Sequence, residues 1–236
     1  MEQSKDLKSN RVRRNLGLLF VALICGLSTY SVSAQGPRGT ILNRMDAHYK
    51  ALSSLECKIN LENVNTQLRE TDERNGKIIF LQKTKKNALY MRLDWDKPDE
   101  SALVIGEKFW LYSRERNLVY TGNKNNAPKD KRLSALSFLS MSKAQLTANF
   151  EVVVLEEGKL KDGTNTIHLG LVPKTAAKFK KVDLWVDGDG MPRRVMTTEE
   201  NSDSSTILLT NIKKNSYIDA GLFDLHIPPG VKKQPV

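Results

Sequence analysis

The chain has 236 residues, with 37 Lys and Arg against 27 Asp and Glu, a net charge of +10 and two cysteines. That length supports one sizeable core, and with Cys57 alone beyond residue 34 no intramolecular disulfide framework is available to the rest of the chain. The basic residues there are spread, with no block of five like charges, which argues against a nucleic-acid-binding tail.

Lys5, Lys8, Arg11, Arg13 and Arg14 precede a twelve-residue apolar run, LGLLFVALICGL, and then Val32-Ser33-Ala34. A basic start, a short apolar run and small residues predict a signal peptide over residues 1–34, cleaved near Ala34 and Gln35. The run is short of the roughly 18–20 residues that a membrane span needs. Cys25 follows bulky Leu23 and Ile24, a poor context for lipidation. Residues 35–236 then form one domain of net charge +7, since the segment before it carries five basic and two acidic side chains.

Ile41, Leu42, Met45, Tyr49 and Leu52 recur at helical spacing, so residues 40–55 are predicted as an amphipathic helix capped by Thr40. His48 on or near that face reads as a packed or surface residue. Residues 56–68 alternate as a strand with Cys57, Ile59 and Leu61 inward, and Cys57 reads as a buried small hydrophobe. Asn75-Gly76 signals a hairpin turn, with residues 77–82 returning.

Leu89, Met91, Leu93 and Trp95 alternate with Tyr90, Arg92 and Asp94, which is a strand with one buried face. Asp96-Lys97-Pro98-Asp99 breaks it, residues 102–105 resume, Gly106-Glu107 turns, and residues 108–112 and 118–120 follow. Connections this short make an antiparallel meander. Leu103 and Trp110 are assigned to the same apolar wall as Leu89, Met91, Leu93 and Trp95. Residues 122–131 are a loop. Leu133, Leu136, Phe138, Leu139 and Met141 then mark a short helix, and Ser142 caps another to about Thr147. Both are too short to stand alone and must lie on the sheet.

Strand patterns resume at residues 150–155, 167–171, 182–186, 193–198 and 206–212. Turns are read at Glu157-Gly158, Asp162-Gly163 and Asp187-Gly188-Asp189-Gly190, a helical turn at 217–223, and a frayed tail at 231–236. The expected fold is mainly β with an α lid: an unclosed antiparallel half-barrel of about 10–11 strands. The N-terminal helix and the mid-chain helical insertion cover its concave apolar face.

No constellation for catalysis is visible. The Asp187–Gly190 run lacks a glutamate at its twelfth position and reads as a hairpin. His48, His168 and His226 have no neighbours at metal spacing. The expectation is a monomeric binding protein with no metal, cofactor or nucleic-acid partner. The helical residues at 133–141 would cover the meander wall, as an ordinary core or around a pocket.

The order of motifs resembles the LolA family of periplasmic lipoprotein carriers. Trp95 stands ahead of Lys97-Pro98-Asp99-Glu100, followed by VIGEKFWLY at 104–112, FKKVDLWVDGDGMPRRVM at 179–196 and FDLHIPPGV at 223–231. The resemblance implies a periplasmic carrier that takes the acyl chains of lipoproteins into an apolar cavity. It would receive them from an inner-membrane releasing transporter and deliver them to an outer-membrane receptor. It makes Leu89, Met91, Leu93, Trp95, Leu103, Trp110, Leu133, Leu136, Phe138, Leu139 and Met141 the candidate cavity and lid residues. A family arginine that holds the lid aligns with Asn87 here, so Lys85, Lys86 and Asn87 are the latch candidates. Lysine would be a point donor without the planar fork of arginine. Ile105 stands where the family has an aspartate. Alternatives are a carrier or sensor of another lipid, and an envelope interaction domain without transported cargo.

Overall fold

The computed structural model describes residues 36–82, 88–123, 138, 141–177 and 179–236. The predicted signal peptide, Leu133, Leu136, Leu139, Lys85, Lys86 and Asn87 lie outside the described residues. Helix α1 (Pro37–Ala51) opens the domain. Strands β1 (Ser54–Asn65), β2 (Glu70–Leu81), β3 (Tyr90–Trp95), β4 (Glu100–Ile105), β5 (Lys108–Ser113) and β6 (Leu118–Asn123) follow. Helix α2 (Lys143–Asn149) precedes β7 (Phe150–Lys159), β8 (Asn165–Pro173), β9 (Lys181–Asp187), β10 (Pro192–Thr198) and β11 (Ser204–Lys214). A 3₁₀ turn (Ala220–Phe223) and β12 (Lys232–Pro235) end the chain.

The described strands form one unclosed twelve-stranded sheet in the order β12-β6-β5-β4-β3-β2-β1-β11-β10-β9-β8-β7. It is mainly β and antiparallel, as expected, apart from β12. That strand corrects the reading of 231–236 as a frayed tail. Lys232–Pro235 pairs parallel to Leu118–Thr121, because the C-terminal segment crosses the sheet and returns beside β6.

Four other readings change. Helix α1 begins at Pro37, whose fixed φ and missing N–H suit the first helical position, so Thr40 lies inside the helix and is not its cap. Leu55 belongs to β1. Asn75 and Gly76 are mid-strand in β2, and the hairpin turn is at residues 66–69, where Arg69 adopts a left-handed φ of 56°. A side chain at Gly76 would collide with the Asp94 carbonyl and the Trp95 ring, so this glycine serves close strand approach. Glu157 and Gly158 likewise continue β7.

The Asp187–Gly190 turn is a hairpin, as read. The Asp187 carboxylate accepts from the amides of Asp189 at 3.1 Å and Met191 at 2.9 Å. Gly190 has a φ of 89°, and a side chain there would strike the backbone of Arg44 and Met45. The turn is therefore the seat of α1. Ser142 caps α2 with a reciprocal box: its Oγ accepts from the Gln145 amide and its own amide donates to the Gln145 side chain.

The inner face of the sheet carries the main core. Ile41, Leu42 and Met45 of α1 and Leu146 of α2 pack on Cys57, Ile59 and Leu61 of β1. Leu169, Leu171, Val182, Leu184, Val186, Val195, Ile207 and Leu209 continue this core across β8 to β11. Each such side chain contributes about 1.5–3 kcal/mol by leaving water. A second, smaller core lies on the outer face, where Ile218, Phe223, Leu225 and Val231 cover Ile79, Leu103, Tyr112 and Val119.

Candidate functional site

Register decides which residues face which side. Leu93 pairs with Ile78 and Ala102, and Met91 with Phe80 and Val104. Directly opposed residues share a face, and Leu111 and Tyr120 continue the Leu93 row. The inner wall of β2 to β6 is therefore Ile78, Phe80, Met91, Leu93, Trp95, Ala102, Val104, Phe109, Leu111 and Tyr120. Ile78, Leu93, Trp95 and Phe109 are buried, whereas Phe80, Met91, Val104, Leu111 and Tyr120 are only half-buried. The inner face is thus uneven, with a packed half over β1 and β8 to β11 and half-buried positions at Met91, Val104, Leu111 and Tyr120 across β3 to β6.

The predicted site residues divide accordingly. Met91, Leu93 and Trp95 stand on the inner wall, and Leu89 lies just before β3, half-buried, its carbonyl accepting from the Gly106 amide at 2.8 Å. Met141 is half-buried against the inner core. Phe138 is 1 % exposed and sits edge-on to Phe150 and Phe179, with ring centroids 5.6 and 5.5 Å away. It is a core anchor. Leu103 and Trp110 correct the sequence reading. Leu103 pairs with Arg92 and Trp110, one residue out of phase with Leu93, and both belong to the outer core under the C-terminal segment. Residues 102–105 are apolar throughout, so alternation could not phase this strand.

Phe80, Val104, Leu111 and Tyr120 were missed for the same reason. The two-residue turn at Gly106-Glu107 carries the signal, since it fixes Val104 opposite Phe109 and Leu103 opposite Trp110.

An arginine latch also escaped the sequence reading. Arg92 donates from Nη1 to the carbonyls of Leu222 and Asp224, each at 2.8 Å, and from Nε to Asp94 at 2.8 Å. Asp94 in turn accepts from Ser101 Oγ at 2.6 Å, and Arg114 binds Ser101 and Asp99. This fork ties the C-terminal segment to the outer face.

Clefts bounded by described residues are polar-rimmed. One of about 510 Å³ has Arg44, Glu157, Lys159 and Asn165 at its rim and Ile167 and Val186 among its lining. The Cys57 thiol is pushed up to about 12 by burial, which leaves it inert as a nucleophile. Asp183, buried on the outer face, is held by His168 Nε2 at 2.8 Å and Lys181 Nζ at 3.1 Å. His168 stacks on Trp185, over which Arg194 also lies.

His48 borders a cleft with Asp189 and Lys214. Burial and then the Lys214 charge hold its pKa below the ordinary value, against the raising effect of Asp187 and Asp189. The folded state therefore favours the neutral ring. Stability is full above the unfolded pKa of about 6.5 and is lost as pH falls from there through the folded value. Asp189 is depressed too, mainly by its hydrogen bond to Lys214, but its loss falls below the ordinary carboxylate pKa and is separate. Replacing His48 with Gln should reduce the drop in Tm between about pH 7.5 and about pH 5, as read by calorimetry. An unchanged drop would place the acid sensitivity elsewhere.

The profile of the family described as "Outer membrane lipoprotein carrier protein LolA" matches residues 58–226. The chain is 25 % identical over 225 residues to the outer-membrane lipoprotein carrier protein of two Pseudomonas aeruginosa strains, covering 94 % of this chain and 97 % of that protein. Among solved structures it is similar to an uncharacterized conserved protein from Thermus thermophilus, with a TM-score of 0.53, 14 % identity, and 85 % and 100 % of the two chains covered. It is also similar to MucB, with a TM-score of 0.55, 13 % identity and 78 % of this chain covered. There it spans only 61 % of MucB's length. MucB has also been solved in complex with MucA from Pseudomonas aeruginosa, where the TM-score is 0.52, identity is 14 %, 78 % of this chain is covered and it spans 59 % of the matched chain. The wall of Met91, Leu93 and Trp95 and the Asp187–Gly190 turn both fall inside the matched residues, and the chain belongs to the LolA family of outer membrane lipoprotein carrier proteins.

Proposed function

We propose that this chain is a non-enzymatic carrier of acylated lipoproteins, exported to the periplasm and monomeric. It would receive cargo from an inner-membrane releasing transporter and pass it to an outer-membrane receptor. The observation that carries this reading is the half-buried apolar wall of Phe80, Met91, Val104, Leu111 and Tyr120 on the helix-covered face. Each methylene of an acyl chain moved from water onto such a wall gains about 0.8 kcal/mol, so a lipid anchor crosses an aqueous space only if it is covered. A wall that is half-buried, and not sealed, holds a chain with an affinity that still allows release.

The protein, incubated with spheroplasts, is expected to bring acylated lipoproteins into the supernatant. Met91→Glu and Val104→Glu place a charge on the wall and are expected to abolish release while the far-UV spectrum and the inner core persist. Wild-type failure to extract any acylated protein would sink the carrier reading.

A second reading is an envelope interaction domain without cargo. It is favoured by the packed half of the inner face, where Phe138, Leu146 and the α1 side chains already fill the space over β8 to β11. Native mass spectrometry separates the two, since a carrier purifies with acyl-bearing ligand and a self-filled domain does not.

A further inference from the structure

We propose that the open edge of β7 is a docking strand for an extended, basic segment of a partner protein. Among the described residues the sheet ends in two strands paired on one side only, β12 and β7. The β12 edge is four residues long, carries Lys232 and Lys233 and ends at Pro235, all of which discourage strand addition. β7 is ten residues long and contains no proline. Its register with β8 breaks between Val154 and Glu156, so residues 150–154 are its regular part.

Two observations mark this edge as a surface for protein contact. On its outer side Val153, Leu155 and Val172 are 45, 50 and 46 % exposed. Seven large apolar side chains are exposed among the described residues, and these three share two adjacent strands, with Leu155 lying over Gly170. Charge gives the second. β7 carries Glu151, Glu156 and Glu157 against Lys159, an acidic edge in a chain of net charge +10.

Together they specify the occupant. Phe150, Val152 and Val154 carry the inner core out to the edge, so an added strand presents apolar residues at alternate positions. On the outer side it presents Lys or Arg opposite Glu151 and toward Glu156, with an apolar residue opposite Val153. Main-chain hydrogen bonds supply affinity and these alternate side chains supply selectivity. Pairing of two β7 edges would bring glutamates of both copies together, so a second copy of this chain is disfavoured. The inference does not depend on what the inner face binds.

The test titrates ¹⁵N-labelled protein with the peptide Lys-Val-Val-Val-Lys-Val-Lys and with its Glu-Val-Val-Val-Glu-Val-Glu counterpart. The basic peptide is expected to shift the amides of residues 150–154 and to slow their hydrogen exchange, and the acidic peptide to do neither. Val153→Lys, at an exposed position that leaves the melting curve unchanged, weakens the basic peptide about fivefold. Glu151→Lys moves the preference toward the acidic peptide. The proposal is overturned by absence of binding, by equal binding of both peptides, by shifts confined to another surface, or by self-association through β7 in sedimentation.

Discussion

Phe138→Ala is expected to lower unfolding stability by about 3–5 kcal/mol, a large share of the roughly 5–15 kcal/mol of an ordinary domain. The ring is 1 % exposed and meets Phe150 and Phe179 edge-on, while those two stack on each other at 6.3 Å. Edge-to-face pairs add about 0.5–1.5 kcal/mol each to the burial of the rings. Phe150 opens β7 and Phe179 lies just before β9, so neither ring can follow a shrunken neighbour without moving a strand of the sheet. The cavity therefore stays open and its full cost is felt. Urea denaturation reads the loss as a lower midpoint with the slope unchanged. A cost below about 1 kcal/mol would mean that Phe138 swings away from the sheet, as the covering element of a mobile lid would. The expected value instead makes Phe138 a fixed pin of the inner core, and leaves Met91, Val104 and Leu111 as half-buried positions of the same face.

The strand series was legible because turns and alternation agreed over most of its length. The meander from Tyr90 to Tyr120 follows from the alternation at 89–95, the break at Pro98 and the two-residue turn at Gly106-Glu107. Helix α1 was legible from Ile41, Leu42 and Met45. Its start was not, because Thr40 is a favoured cap residue, whereas the helix opens at Pro37, whose fixed φ suits the first helical position. Asn75-Gly76 misled for a physical reason. The pair is the strongest hairpin signal in that region, yet the glycine is needed for the Trp95 ring and the Asp94 carbonyl to come close, a tertiary demand that sequence neighbours do not reveal. Likewise, Leu103 and Trp110 lie in strands apolar on both faces, because the outer face of β4 and β5 is covered as well. That second cover is the C-terminal segment, more than a hundred residues away in the chain. A residue's face in such a strand depends on an element that local pattern cannot see.

Arg92→Ala is expected to free that same cover. The guanidinium holds the carbonyls of Leu222 and Asp224 at 2.8 Å each and Asp94 through Nε. Charge-assisted hydrogen bonds contribute about 1.5–3 kcal/mol, and Asp94 would lose its cation while keeping Ser101 as a donor. The whole change should cost about 2 kcal/mol. Its signature is local, with faster amide exchange at Phe223 and Leu225 and little change in α1 or β9, since the outer core is separate from the inner one. Arg92→Lys should recover less than half, because one ammonium cannot span two carbonyls and a carboxylate. The apolar contacts predict otherwise. Phe223 lies 5.1 Å from Tyr90, and if it and Leu225 alone secure the segment, Arg92→Ala will leave exchange there untouched. The sequence resemblance places a lid-holding arginine near residue 87, and Arg92 is a fork of the same chemistry five residues on, turned to the opposite face. With the fork intact, the segment keeps Leu103, Tyr112 and Val119 out of water on the outer face of β4 to β6.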